Sequence, residues 1–301
     1  MAKIIGQSDC TSYLAYNLQH FGLEDIFNFK DVQYFRNNYD DILKDAVHNS
    51  QQRLDHKIEK LQEKESLLID TLKEQKGLKK MFSYLKKVFT KFKLRKLKKN
   101  YDKILNEEIS YLKRGKQFLD NNEDVYYGAI GEEKVIKTLI NLPDTYYVLN
   151  EVRLQFSKAF HWRKYNQYIK NAQIDHVVVG PTGIFLIETK NWKEMYLNTS
   201  FSSPHYQIDR AGVAFWFAQK RTLRKTYNSY KVVCTIKPLP QYSYEYVTQL
   251  SIRQLRHYIL SKHLKLSQSE IERIVDWLDD LTVVSTTPSF WKAYKIMRKF
   301  L

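Results

Sequence analysis

The stretch QIDHVVVGPTGIFLIETKNW, residues 173–192, limits what this chain can become more than any other. Val177, Val178 and Val179 run into Gly180-Pro181-Thr182-Gly183, and Ile184 to Ile187 follow. Two apolar, β-rich runs around a Gly/Pro turn predict two strands joined as a hairpin. If Val179 faces Ile184 across a four-residue loop, antiparallel pairing carries on to set Asp175 opposite Glu188. Side chains alternate along a strand, so Asp175, Val177, Val179, Ile184, Leu186, Glu188 and Lys190 are expected on one face.

Two carboxylates opposed across a sheet lie about 5 Å apart and repel. At an effective dielectric near ~20 the cost is on the order of 3 kcal/mol. The pair is tolerated if one acid is protonated or if a cation sits between them. Lys190 supplies one charge, which does not balance two acids. A hard divalent ion with oxygen ligands does, and Mg²⁺, or Mn²⁺ in its place, suits two carboxylates completed by water. His176 is expected on the opposite face in a structural role, and Trp192 is expected to close the strand end.

A third acid follows from helical phase. In GEEKVIKTLI, Glu132 stands three, four and seven residues before Val135, Ile136 and Leu139, on the stripe that should face the sheet. Glu133 projects with Lys137 toward water. An acid near a helix start is also ordinary dipole compensation, and that reading stays open for Glu132.

The rest of the chain divides by composition. Residues 1–32 are expected as a short helical segment. From 33 to 121 there is no proline, and Lys, Glu, Leu and Gln dominate, which predicts long helices. Leu54, Leu61 and Leu68 are seven apart, with Ile58 and Leu72 on the adjoining stripe, which suits a coiled coil or helical hairpin, or else a plain exposed helix packed on its own domain, with a break at Gly77. Residues 122–282 alternate between helix and strand patterns. The helix opened by glycines at 128–131 comes first, then the strand YYVLNEVRLQF and the hairpin. A helix near 207–222, the strand KVVCTI and a helix near 251–263 follow, then a helix capped by Ser267 and Glu270 and a short strand TVVS. Residues 283–301 read as a basic helix with proline in its first turn.

Charge adds a further constraint. The 301 residues carry a net charge of +16, which favours polyanionic partners. Residues 79–99 hold ten Lys or Arg and no acid, while Met81, Tyr84, Leu85, Val88 and Phe92 recur at three- and four-residue steps. Three readings of this helix stand open. Lys86, Lys87, Lys91, Lys93 and Arg95 line a phosphate backbone, or the helix lies on an anionic membrane, or its apolar side packs on the preceding helix. A second basic stretch, LQFSKAFHWRKYNQYIKNA, sets Phe160, Trp162, Tyr165 and Tyr168 among Lys158, Arg163, Lys164 and Lys170. It reads either as a surface for stacked bases and phosphates or as an ordinary basic hairpin packed on the sheet. Only two cysteines are present, far apart, so neither a disulfide framework nor a zinc site is expected. No signal peptide and no spanning helix are expected, and a cytoplasmic setting follows.

The motifs Gly128-x-x-Gly131-Glu132, LPDTYYVLNEVRL and the hairpin, with twelve residues between Asp175 and Glu188-Thr189-Lys190, resemble the nuclease-related domain, NERD. That family is a branch of the PD-(D/E)XK nucleases. The resemblance covers about residues 124–282, including PHYQIDR at 204–210. It implies an α/β fold, a restriction-endonuclease-like mixed sheet flanked by helices, here preceded by a long helical region. It also implies a metal-dependent deoxyribonuclease with a possible place in genome defence. Asp175, Glu188 and Glu132 would hold Mg²⁺, Lys190 would orient the attacking water or the phosphate, and Gln207 would touch the site. DNA is the expected partner, and the helices at 33–121 are expected to pair copies or bind a partner protein. No small-molecule cofactor is expected. The alternatives are a catalytically silent binding module or a membrane adaptor.

Overall fold

The computed structural model describes residues 1–191, 203–237 and 244–282. Trp192, the end of the TVVS strand and the basic helix expected at 283–301 lie outside the described residues. The chain forms two compact units, Asn17–Asn121 and Met1–Tyr16 with Asn122–Leu301.

The helical unit begins within α1 (Asp9–His20) and continues through α2 (Phe29–Asn37), α3 (Tyr39–Glu74), α4 (Gly77–Lys99), α5 (Tyr101–Glu108) and α6 (Ser110–Asn121). Asn28 caps α2 with a reciprocal Asp31 bond. Leu18, Val32, Phe35, Leu54, Leu112 and Leu119 are buried in it. Arg53 of α3 reaches Glu108 of α5 at 3.0 Å. Gly77 has φ +64, and there α4 folds back along α3, which resolves the choice toward a helical hairpin.

The second unit is built on one six-stranded mixed sheet in the order β1 (Lys3–Ile5), β2 (Tyr147–Trp162), β3 (Gln167–Gly180), β4 (Gly183–Lys190), β5 (Ser229–Thr235), β6 (Thr248–Ser251). β2, β3 and β4 run antiparallel, and the flanking pairs are parallel. One face is covered by α8 (Pro204–Thr222) and α10 (Gln268–Asp279), which bury Ile208, Ala211, Phe215, Ile274 and Leu278 against Val177, Val179, Ile184 and Leu186. The other face is covered by α7 (Glu123–Leu139) and α9 (Ile252–Leu260), whose Val135, Leu139, Leu255 and Ile259 meet Val178, Phe185 and Ile187. The expected capping box at Ser267 and Glu270 opens α10.

The hairpin has the expected register, with Val179 facing Ile184. Its loop is tighter than expected, because Gly180 also pairs with Gly183 and leaves a two-residue turn. The Tyr146 ring lies over Gly180, and a Cβ there would stand 2.2 Å from Tyr146 Cδ1. Gly180→Ala is therefore expected to cost at least ~1–3 kcal/mol of stability as overpacking, read as a lower urea midpoint with an unchanged slope.

The N-terminal residues contribute more than the expected short helical segment. Lys3–Ile5 forms an edge strand of the sheet, fixed by Asn150 Nδ2 donating to the Gly6 carbonyl at 3.0 Å.

Candidate active site

The ladder between β3 and β4 ends at His176 and Ile187, one residue short of the expected Asp175–Glu188 pair. Beyond it the Asp175 carboxylate takes the place of a ladder bond and accepts from the Thr189 N–H at 2.7 Å. The strict alternation expected along β3 also breaks here. Ile174 and Val177 enter the same core although they are three residues apart, and so do Leu149 and Val152 on β2. The pairing holds on both sides, with Asn150 facing His176 and Val152 facing Ile174, so the two strands change phase together. Glu151, between them on β2, has φ +54. A non-glycine residue in the left-handed region stores strain of a kind that gathers at functional sites.

Glu188 is 1% exposed, and Lys190 Nζ lies 2.6 Å from its Oε1. Burial pushes the Glu188 carboxyl up to about 8, Asp175 adds to the rise, and Lys190 opposes it. Asp175 is likewise raised, first by burial, with Lys190 and the Thr189 N–H opposing. Burial would lower Lys190, but Glu188 and Asp175 outweigh it and hold the ammonium above its usual range.

Glu132 enters from α7. It is buried, and burial followed by the Asp175 charge raises its carboxyl to about 8, against hydrogen bonds from Ser8 and Cys10. Glu188 also feels the Glu132 charge. The helix is positioned by its glycines, which lie inside α7 rather than at its start. A Cβ on Gly131 would stand 2.9 Å from Asn191 Cβ, and one on Gly128 would stand 2.9 Å from Cys10 Sγ. Asn191 Nδ2 donates to the Tyr127 carbonyl at 2.7 Å, joining the end of β4 to α7. Gly131→Ala is expected to push these elements apart, with a loss of ~1–3 kcal/mol and a marked fall in any activity of the site.

Glu188 Oε2 and Glu132 Oε2 are buried and have no hydrogen-bond partner. Buried carboxylate oxygens without a donor are costly and suit a cation. Among the described residues no group of three or more His, Cys, Asp or Glu side chains is set to hold a metal ion.

Four neighbours were missed in the sequence. Ser8 and Cys10 touch Glu132, and Asp9 receives Arg153 at 2.9 Å and Gln173 at 2.9 Å. Glu151 is buried, ion-paired to Arg153 and raised to about 8 by burial and Asp9. The polar pair Asn150-Glu151 inside an apolar strand was the available signal for Glu151. Nothing local marked residues 8–10.

The other expected residues are placed differently. Gln207 is exposed, while His205, Asp209 and Gln219 are the buried polar residues of α8, and Asp209 binds Lys164 at 2.9 Å and Lys231 at 2.5 Å. Trp162 is buried against Tyr165 and Tyr206, so its ring is closed to base stacking. Phe160 stacks on Phe217 of α8 at 4.2 Å, so this stretch is a hairpin arm whose aromatic side packs inward. Lys158, Arg163 and Tyr168 remain exposed on it. His176, expected as structural, is fully buried, with Nδ1 2.8 Å from Asn150 Oδ1, and burial lowers it to about 3 and keeps it neutral. On α4, Lys86, Lys91, Lys93 and Arg95 are exposed and Lys87 is half-buried.

The second unit is thus an α/β domain whose central hairpin ends in an Asp, a Glu and a Lys, with a buried helix glutamate beside them. Residues 127–243 match the family model for the nuclease-related domain, a family of the general PD-(D/E)XK kind. The chain is also 39% identical over 67 residues to an uncharacterized protein of Bacillus anthracis. That stretch is 22% of this chain and 27% of the relative. No solved structure matches the chain.

Proposed function

We propose that the second unit hydrolyses phosphodiester bonds of DNA with Mg²⁺ held by Asp175 and Glu188. Glu132 completes the acidic cluster. The observation that carries this reading is the buried Glu188 carboxyl, with Oε1 2.6 Å from Lys190 Nζ and Oε2 unpartnered, beside Asp175. Two carboxylates with water suffice for Mg²⁺, which keeps much of its hydration shell. When bound, the ion would acidify a water and neutralise charge on the phosphate.

The chain's own groups supply the rest. Lys190, held charged beside Glu188 and Asp175, donates to the attacking water or to a phosphate oxygen as negative charge builds on it. Asp175 is fixed by the Thr189 N–H, so its carboxylate enters the site at a set angle. Lys158 and Arg163, exposed on the hairpin arm, are the cations offered for backbone phosphates.

Supercoiled plasmid incubated with the protein tests this reading. Open-circle product with Mg²⁺ or Mn²⁺ and none in EDTA is expected. Intact plasmid under every metal condition, with DNA still bound, would leave a silent binding module.

A further inference from the structure

α4 does not use its apolar side to pack on α3. The residues it buries are Ser83, Thr90 and Leu94. Leu78, Met81, Phe82, Tyr84, Leu85, Val88, Phe89 and Phe92 point away from that contact and are 49–72% exposed. Of the three readings of this helix, packing of the apolar stripe on its neighbour is the one the structure removes.

The distribution of charge limits what covers this face. Lys79, Lys86 and Lys93 run along one border of the stripe at seven-residue steps. Lys80, Lys87, Lys91 and Lys98 run along the other at steps of seven, four and seven. The Lys93 ammonium already lies over the Phe89 ring, 4.6 Å from its centroid. The helix contains no acid. A second copy of α4 would bring two such lysine borders together and be repelled. A DNA backbone would use the lysines but would find Leu, Val and Phe, which gain nothing from phosphates, on the centre of the contact. A surface with acyl chains below and anionic groups above satisfies both parts of the pattern at once. No described helix is long and apolar enough to cross a bilayer, so such a helix lies in the plane of the interface.

We infer that α4 is an interfacial anchor, docking the protein on anionic lipid bilayers through the Leu78–Phe92 stripe with its bordering lysines on the headgroups. The partner is the lipid surface itself, recognised by negative charge and an accessible acyl layer.

Full-length protein in a flotation assay tests this. The vesicles are zwitterionic phosphatidylcholine alone or with about one third phosphatidylglycerol, a composition that gives the lysines a strongly anionic surface. Binding to the anionic vesicles, at least ~10-fold above the zwitterionic ones, is expected. Phe82→Ser with Phe89→Ser changes only exposed side chains, so circular dichroism and the melting temperature should stay the same while flotation falls at least ~10-fold. Three results would overturn the proposal. They are no flotation with anionic vesicles, equal flotation of the double variant, and a wild-type dimer in solution that the double variant converts to monomer. DNA affinity that falls in the double variant as much as flotation does would also count against it, because it would assign the stripe to nucleic acid.

Discussion

The metal-free protein is expected to lose stability as pH rises from about 5 to about 9. Glu132, Glu151 and Glu188 are each moved from 4.5 to about 8, in each case first by burial. The folded state therefore keeps protons that the unfolded chain gives up above pH 4.5. Their contribution is complete below that value and is lost as pH rises through about 8. One pH unit is worth ~1.4 kcal/mol, so each carboxyl accounts for a few kcal/mol, and less in sum because neighbouring charges share the effect. Urea midpoints at pH 5, 7 and 9 in EDTA read this directly. Glu188→Gln removes one titrating group while keeping the shape. It should flatten the profile and make the protein more stable than wild type at pH 9. A wild-type midpoint that is flat across the range would mean that the cluster is wet and its charges screened.

Glu188→Ala should reduce metal-dependent plasmid nicking on the order of 10³-fold, with DNA binding retained. The side chain removed is the acid that Lys190 pairs with and that carries an unpartnered oxygen. Lys190→Met should cost ~10²–10³-fold, the range for one preorganised charge at the reacting centre. The two losses should not add, because each leaves the other group without its partner. Gln207→Ala, on an exposed side chain, should change the rate by less than about threefold. A nicking rate in Glu188→Ala within a few-fold of wild type would move the chemistry elsewhere.

The parts legible in the sequence were those set by local pattern. The hairpin register followed from two apolar runs around Gly180 and Gly183, and α10 announced itself through Ser267 and Glu270. Glu132 could be placed by helical phase, because Val135 and Leu139 shared its stripe. What was hidden depended on contacts far apart in the chain. Ser8 and Cys10 meet Glu132 across more than a hundred residues, and no short window carries that information. The phase change at Asp175 needs two strands to shift together, which neither strand shows alone. For the basic stretch around Trp162 the sequence left two readings open, and the ring's packing on Tyr165 and Tyr206 favours the packed hairpin. Periodicity alone left three readings of the apolar side of α4 open, because it does not show which face meets α3, and the buried residues are Ser83, Thr90 and Leu94.

Titration calorimetry of Mn²⁺ into the protein at pH 7, in two buffers of different ionisation enthalpy, tests the central claim most directly. Glu132 and Glu188 hold protons at that pH, so binding should release protons and the apparent enthalpy should differ between the buffers. The double variant Asp175→Asn with Glu188→Gln should keep its fold by circular dichroism and show no binding heat. Wild type that binds no Mn²⁺, or a double variant that binds it with unchanged affinity and proton release, would contradict the account.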